Sequence, residues 1–252
     1  MRSRNLIFLF TSLLCYSSAF AQKQTEHVQQ LWAGYLNQTR FSEHFGFWGE
    51  FQLRTKENLV EDLSTSIVRL GLTYNINEKV RVTAGYAWAN AFPNGAVTVS
   101  QPEHRPWQQV LWQSNSPRIR LMQWIRLEER FRRKIEGNTA LGDGYNFNYR
   151  VRYNFLMTIP LGQRAFVKNT VSLVFNDEIH VNLGKEIVYN SFDQNRFFAG
   201  FAYHVNAKDN IQFGYMNVFQ QLAAGNRYRS LHVVRIFYFH NIDLRNNQKS
   251  KS

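Results

Sequence analysis

Apolar and polar residues alternate with a period of two along most of this chain. Between Phe147 and Ile159 the odd positions are aromatic or aliphatic, while Asn148, Arg150, Arg152, Asn154 and Thr158 fill even ones. A strand with that period has one dry face and one wet face. The same rhythm predicts strands over 28–37, 45–54, 64–76, 80–90, 105–113, 118–132, 147–159, 165–179, 194–205, 211–220 and 229–239, each long enough to cross a bilayer at a tilt. In 64–76, Val68, Leu70, Leu72, Tyr74 and Ile76 oppose Arg69 and Thr73; alternation is poor in 28–37 and 105–113.

Short connections at 77–79, 114–117, 160–163 and 206–209 alternate with longer ones at 55–63, 91–104, 133–146, 180–193 and 221–228. Outer-membrane barrels have short periplasmic turns and longer outer loops. The pattern therefore predicts an all-β fold, an antiparallel up-and-down transmembrane β-barrel. Single-chain bacterial barrels have an even number of strands, so ten or twelve are expected. A strand is then missed or surplus, either near the start or as a short hairpin within 180–189.

The N-terminal segment fits that address. Arg2 and Arg4 precede an apolar run over 6–14 and the small-x-small triplet Ala19-Phe20-Ala21, which predicts a secretory signal over 1–21 cut before Gln22. The barrel is expected over 22–240 and a polar tail over 241–252. Cys15, the only cysteine, falls within the signal, so the mature chain is expected to hold neither a disulfide nor a thiolate metal site. The formal charge is +12, and +10 without Arg2 and Arg4. So basic a chain raises nucleic acid as a partner, but the signal and the scatter of arginines over many strands argue against it. The expected surroundings are outer-membrane lipid and lipopolysaccharide, at the cell outer membrane, with the protein as a monomer.

The polar faces carry an unusual load of charge. On 118–132 they include Arg126, Glu128 and Arg130, followed on later strands by Arg150, Arg152, Glu178 and Arg196. These residues are expected to meet in the lumen, where carboxylate and guanidinium groups form charge-assisted pairs. Two roles stay open: a network that fills and stiffens a narrow lumen, or a surplus of arginine that attracts a small anionic solute. Glu103, His104 and Arg105 are expected near the mouth. No glycine-rich phosphate loop, HExxH pattern or spaced metal cluster is present, so no cofactor, metal or catalytic residue is assigned and the protein is read as no enzyme. The leading function is a narrow channel or structural envelope protein with an arginine-rich lumen. One alternative is a lipid-acting hydrolase, because lipid-facing Ser230 and His232, with Asn217 on the preceding strand, resemble the site of outer-membrane phospholipase A; their order differs from that enzyme's and no oxyanion donor is evident. Another is a surface-loop binding module built on 91–101.

Several runs resemble one family. They are Glu103-His104-Arg105-Pro106-Trp107-Gln108-Gln109, Arg126-Leu127-Glu128-Glu129-Arg130, Tyr149-Arg150-Val151-Arg152-Tyr153, Asn176-Asp177-Glu178, Phe192-Asp193-Gln194-Asn195-Arg196 and Gly214-Tyr215-Met216. The chain resembles the outer-membrane proteins labelled domain of unknown function 2490. The resemblance implies a barrel and an envelope address, and it brings no activity.

Overall fold

The structure, a computed structural model, describes residues 23–245. The signal segment over 1–21 lies outside them. Eleven strands follow in order: β1 (Gln24–Arg40), β2 (Phe45–Thr55), β3 (Leu63–Asn75), β4 (Val80–Ala91), β5 (Gln101–Asn115), β6 (Arg120–Glu136), β7 (Ala140–Pro160), β8 (Thr170–Leu183), β9 (Phe192–His204), β10 (Asn210–Gln221) and β11 (Arg227–Asp243). Each pairs antiparallel with its sequence neighbour, and β1 closes on β11 to complete a barrel.

The closure corrects the expected count of ten or twelve. An odd number of up-and-down strands brings first and last strands together pointing the same way, and β1 and β11 do pair in parallel, from Gln24↔Arg227 to Arg40↔Asp243. The barrel wall therefore starts at the long-loop end and finishes at the short-turn end. No hairpin lies within 180–189: His180 to Leu183 complete β8, and a loop follows. β5 starts at Gln101 rather than 105, and β11 runs on to Asp243, past the boundary set at 240.

β8 also begins later than expected, at Thr170, because 161–169 forms a loop that tucks into the short-turn mouth. Phe166 is buried there with a positive φ of 57°. Its ring lies under the Arg120 guanidinium at 3.8 Å and edge-on to His204 at 5.7 Å. Burial of the ring opposes the backbone strain of a left-handed non-glycine residue.

Alternation sorts the wall as the sequence predicts. Exposed large apolar residues point outward on all eleven strands, among them Tyr35, Phe51, Leu70, Trp88, Val110, Ile125, Tyr153, Ile179, Phe201, Phe213 and Ile236. Inward positions divide into two sectors. From β2 to β8 they are largely polar or charged, whereas from β8 round to β1 they form an apolar cluster that includes Trp32, Leu36, Val174, Phe198, Met216, Val233 and Phe237. That cluster explains the poor alternation of β1, whose two faces are both apolar over much of its length.

Glycines seat the two largest fully buried side chains, Trp107 and Phe198. Gly71 and Gly85 face each other across β3 and β4, and a Cβ on Gly71 would lie 2.8 Å from the fully buried ring of Trp107. Gly200 and Gly214 do the same for Phe198 across β9 and β10.

Candidate functional site

The lumen is crossed at mid-height by a web of ion pairs centred on Glu128, which is fully buried. Its Oε2 accepts from Nε and Nη2 of Arg150 at 2.9 and 2.5 Å. Its Oε1 accepts from Arg152 at 2.7 Å and from Arg69 at 3.2 Å. Register explains the first two contacts, since Glu128 lies opposite Arg150 on adjacent strands. The Arg69 contact spans the lumen from β3 to β6, which are not neighbours. Arg69 also donates to Glu50 at 2.6 Å. Arg152 Nε donates to Glu178 at 2.7 Å, and Arg150 reaches Asp193 at 3.1 Å. Glu178 in turn lies 3.2 Å from the fully buried His180.

Toward the long-loop end the web continues through Glu103, which accepts from Arg130 at 2.5 Å and from Arg105 at 2.8 Å. Arg126 is held mainly by the Gln109 amide oxygen, at 2.9 and 2.6 Å, with Glu128 at 3.9 Å. Five carboxylates (Glu50, Glu103, Glu128, Glu178 and Asp193) thus serve nine guanidinium groups, on Arg54, Arg69, Arg105, Arg126, Arg130, Arg132, Arg150, Arg152 and Arg196.

Three of the nine stand apart. Arg54 stacks on Trp32 at 3.6 Å and donates to Gln52. Arg132 donates to Asn148 at 3.2 Å. Among the described residues neither has a carboxylate within 4 Å. Arg196 comes no closer than 3.7 Å to Glu178, and its buried Nε has no acceptor. All three line a cavity of about 370 Å³ in the long-loop half. A second cavity of about 110 Å³ occupies the short-turn half. Trp32, Glu50, Gln52, Arg69, Arg152 and Arg196 border both, so the web forms a diaphragm between an outer vestibule and an inner chamber.

Of the residues singled out in the sequence, Arg126, Glu128, Arg130, Arg150, Arg152, Glu178 and Arg196 all face this lumen. Glu103 and Arg105 face it too, whereas His104 points outward and bonds Tyr86 on the wall's exterior. Glu50, Arg69, Asp193 and His180 were not anticipated as members. Alternation places Glu50 and Arg69 inward, but no sequence signal links β3 to β6 across the lumen. Outside the barrel, Asn217 donates to Ser230 Oγ at 3.0 Å. His232 instead bonds Tyr215 at 2.7 Å and His27 at 3.2 Å. Both ring nitrogens are therefore occupied, and no Ser230–His232 hydrogen bond forms.

Fold and site together define a closed β-barrel whose charged lumen is crossed at the waist by its own side chains. The chain belongs to the family described as Protein of unknown function (DUF2490), whose model matches residues 29–229. No curated protein and no solved structure matches it. Within the family-matched segment, Glu103, Arg105, Trp107, Glu128, Arg150 and Arg196 of the runs that carry the resemblance all project into the lumen.

Proposed function

We propose that this protein is an outer-membrane barrel, blocked at the waist, whose arginine-lined vestibule takes up a small anionic solute from the long-loop side. The reading carries no catalytic step. Support for the membrane comes from the wall: a continuous apolar exterior around a polar interior inverts the arrangement of a soluble protein and needs a non-aqueous solvent. Outward tyrosine–histidine pairs mark two belts on that exterior. His232 with Tyr215 and His240 with Tyr35 lie toward opposite ends of the barrel. They are separated by eight residues of β11, about 26 Å along the strand and about 20 Å along the axis at the usual tilt. That separation is close to the roughly 25 Å apolar band of such barrels, whose edges carry aromatic girdles.

The observation that carries the solute reading is that Arg54 and Arg132, neither with a carboxylate within 4 Å among the described residues, line a 370 Å³ polar cavity. Buried guanidinium groups lacking counter-ions are costly, and rings of arginine are how anion sites select. A network built only to fill the lumen has no need of Arg54 and Arg132 free of carboxylates.

Inorganic phosphate titrated calorimetrically into the detergent-solubilised protein tests it. Saturable binding is expected, weakened at least about tenfold in the double variant Arg54→Gln/Arg132→Gln. Binding unchanged by the double variant sinks the vestibule as an anion site. Planar-bilayer recordings test the blocked waist, where stable single-channel steps in the wild type would show an open path.

A further inference from the structure

The inner chamber differs in character from the vestibule. Its walls include Trp48, Met122, Trp124, Leu156, Phe237 and Phe239; Arg69, Arg126, Arg152 and Arg196 of the diaphragm border it on one side, and Arg235 lines it apart from that web. Arg235 is 6 % exposed. Its plane lies against the ring of Phe198 at 3.4 Å, with Phe237 at 5.1 Å. Phe198 is itself fully buried and wedged against Gly200 and Gly214, where added Cβ atoms would fall 2.6 and 3.1 Å from its ring. The guanidinium is thus fixed in orientation before anything binds.

Arg235 is held far less well than its counterparts in the diaphragm. It makes one hydrogen bond, Nη2 to Gln212 Oε1 at 2.9 Å, and its buried Nε has no acceptor. Among the described residues no carboxylate lies within 4 Å of it. Glu178 borders the chamber but is engaged by Arg152 and His180. A fixed, desolvated cation without a counter-ion, set among apolar walls, favours a ligand that brings a negative charge on an apolar body.

We propose that the inner chamber binds a small aliphatic monocarboxylate of about the size of propionate. The carboxylate pairs with the Arg235 guanidinium, and the hydrocarbon body packs against Trp48, Trp124 and Phe237. The volume limits the body to a few carbons: a dry cavity of roughly 150 Å³ accepts benzene, and this one, at about 110 Å³, is smaller. The proposal does not depend on the vestibule reading, because Arg235 does not line the vestibule.

The full-length protein in detergent micelles provides the test, with tryptophan fluorescence as the readout because Trp48 and Trp124 line the chamber. Propionate is expected to give a saturable change in emission, with affinity at least about tenfold above that of 1-propanol, which has a similar body and no charge. Arg235→Gln should abolish that preference, while Arg54→Gln leaves it within twofold. Equal affinity for propionate and 1-propanol in the wild type overturns the proposal. So does propionate binding that survives Arg235→Gln, or that is lost only in Arg54→Gln. If Arg235→Gln fails to fold, Met122→Trp, which fills the chamber and leaves the guanidinium in place, should abolish binding; retained binding overturns the site. Phosphate binding in the same variants reports on the vestibule separately.

Discussion

Glu128 decides whether the waist holds. Its two oxygens receive hydrogen bonds from three arginines, so Glu128→Gln leaves several buried cations short of an anion. Breaking a buried pair in this way costs about 3 to 5 kcal/mol. We expect a lower denaturant midpoint for the variant in lipid vesicles, followed by heat-modifiable gel migration. The rim pair Glu26–Arg229, with its glutamate side chain half exposed, sets the contrast: Glu26→Gln should cost under about 1 kcal/mol. Gly71→Ala belongs at the same scale. Its methyl group would meet Trp107 at 2.8 Å and Thr83 at 2.9 Å, and overpacking of this kind costs about 1 to 3 kcal/mol. Of these residues, the inward placement of Glu128 and Arg69 was legible from alternation. Their meeting was not, because it depends on the width of the closed barrel.

At the scale of elements the parallel seam is the feature to test. Tyr35 and Tyr238 are register partners across β1 and β11, with ring centroids 5.9 Å apart. Register partners on adjacent strands bring Cα atoms within the range a disulfide spans. Tyr35→Cys/Tyr238→Cys should therefore cross-link on oxidation in the folded protein, with no competing thiol if Cys15 leaves with the signal. Failure to cross-link, in a variant that still migrates as a folded barrel, would mean that β1 and β11 are not partners. The short-turn rim offers a pH test. Glu78, in the turn between β3 and β4, accepts from Arg40 at 2.8 Å, and that hydrogen bond, aided by Arg245, holds its carboxyl below its ordinary value of 4.5. A depressed carboxylate stabilises the fold above its unfolded pKa, and the contribution is lost as pH falls through the folded value. Amide protection of Leu244, which bonds the Arg40 carbonyl, should drop below about pH 4 in the wild type. It should depend less on pH in Glu78→Gln.

For the molecule as a whole, the apolar exterior sets the solvent. Leu70 points outward near the middle of β3 and is half exposed. If lipid surrounds it, Leu70→Arg should lower the free energy of folding into vesicles by about 2 to 4 kcal/mol; a negligible effect in vesicles would count against a membrane-spanning wall. The all-β fold, the lumen face of the strands that alternate well and the charged character of that lumen were written locally, because side-chain direction in a strand follows a period of two. The weak alternation of β1 has a tertiary cause, its inward face packing into the cluster of Trp32 and Phe198 that forms on closure. The tertiary structure alone decided what depends on closure: eleven strands with a parallel seam, Arg69 reaching Glu128 across the lumen, and a diaphragm that separates the vestibule from the chamber around Arg235. Closure sets a diameter and a register between strands far apart in sequence. No local pattern encodes which inward side chains then come within reach of one another.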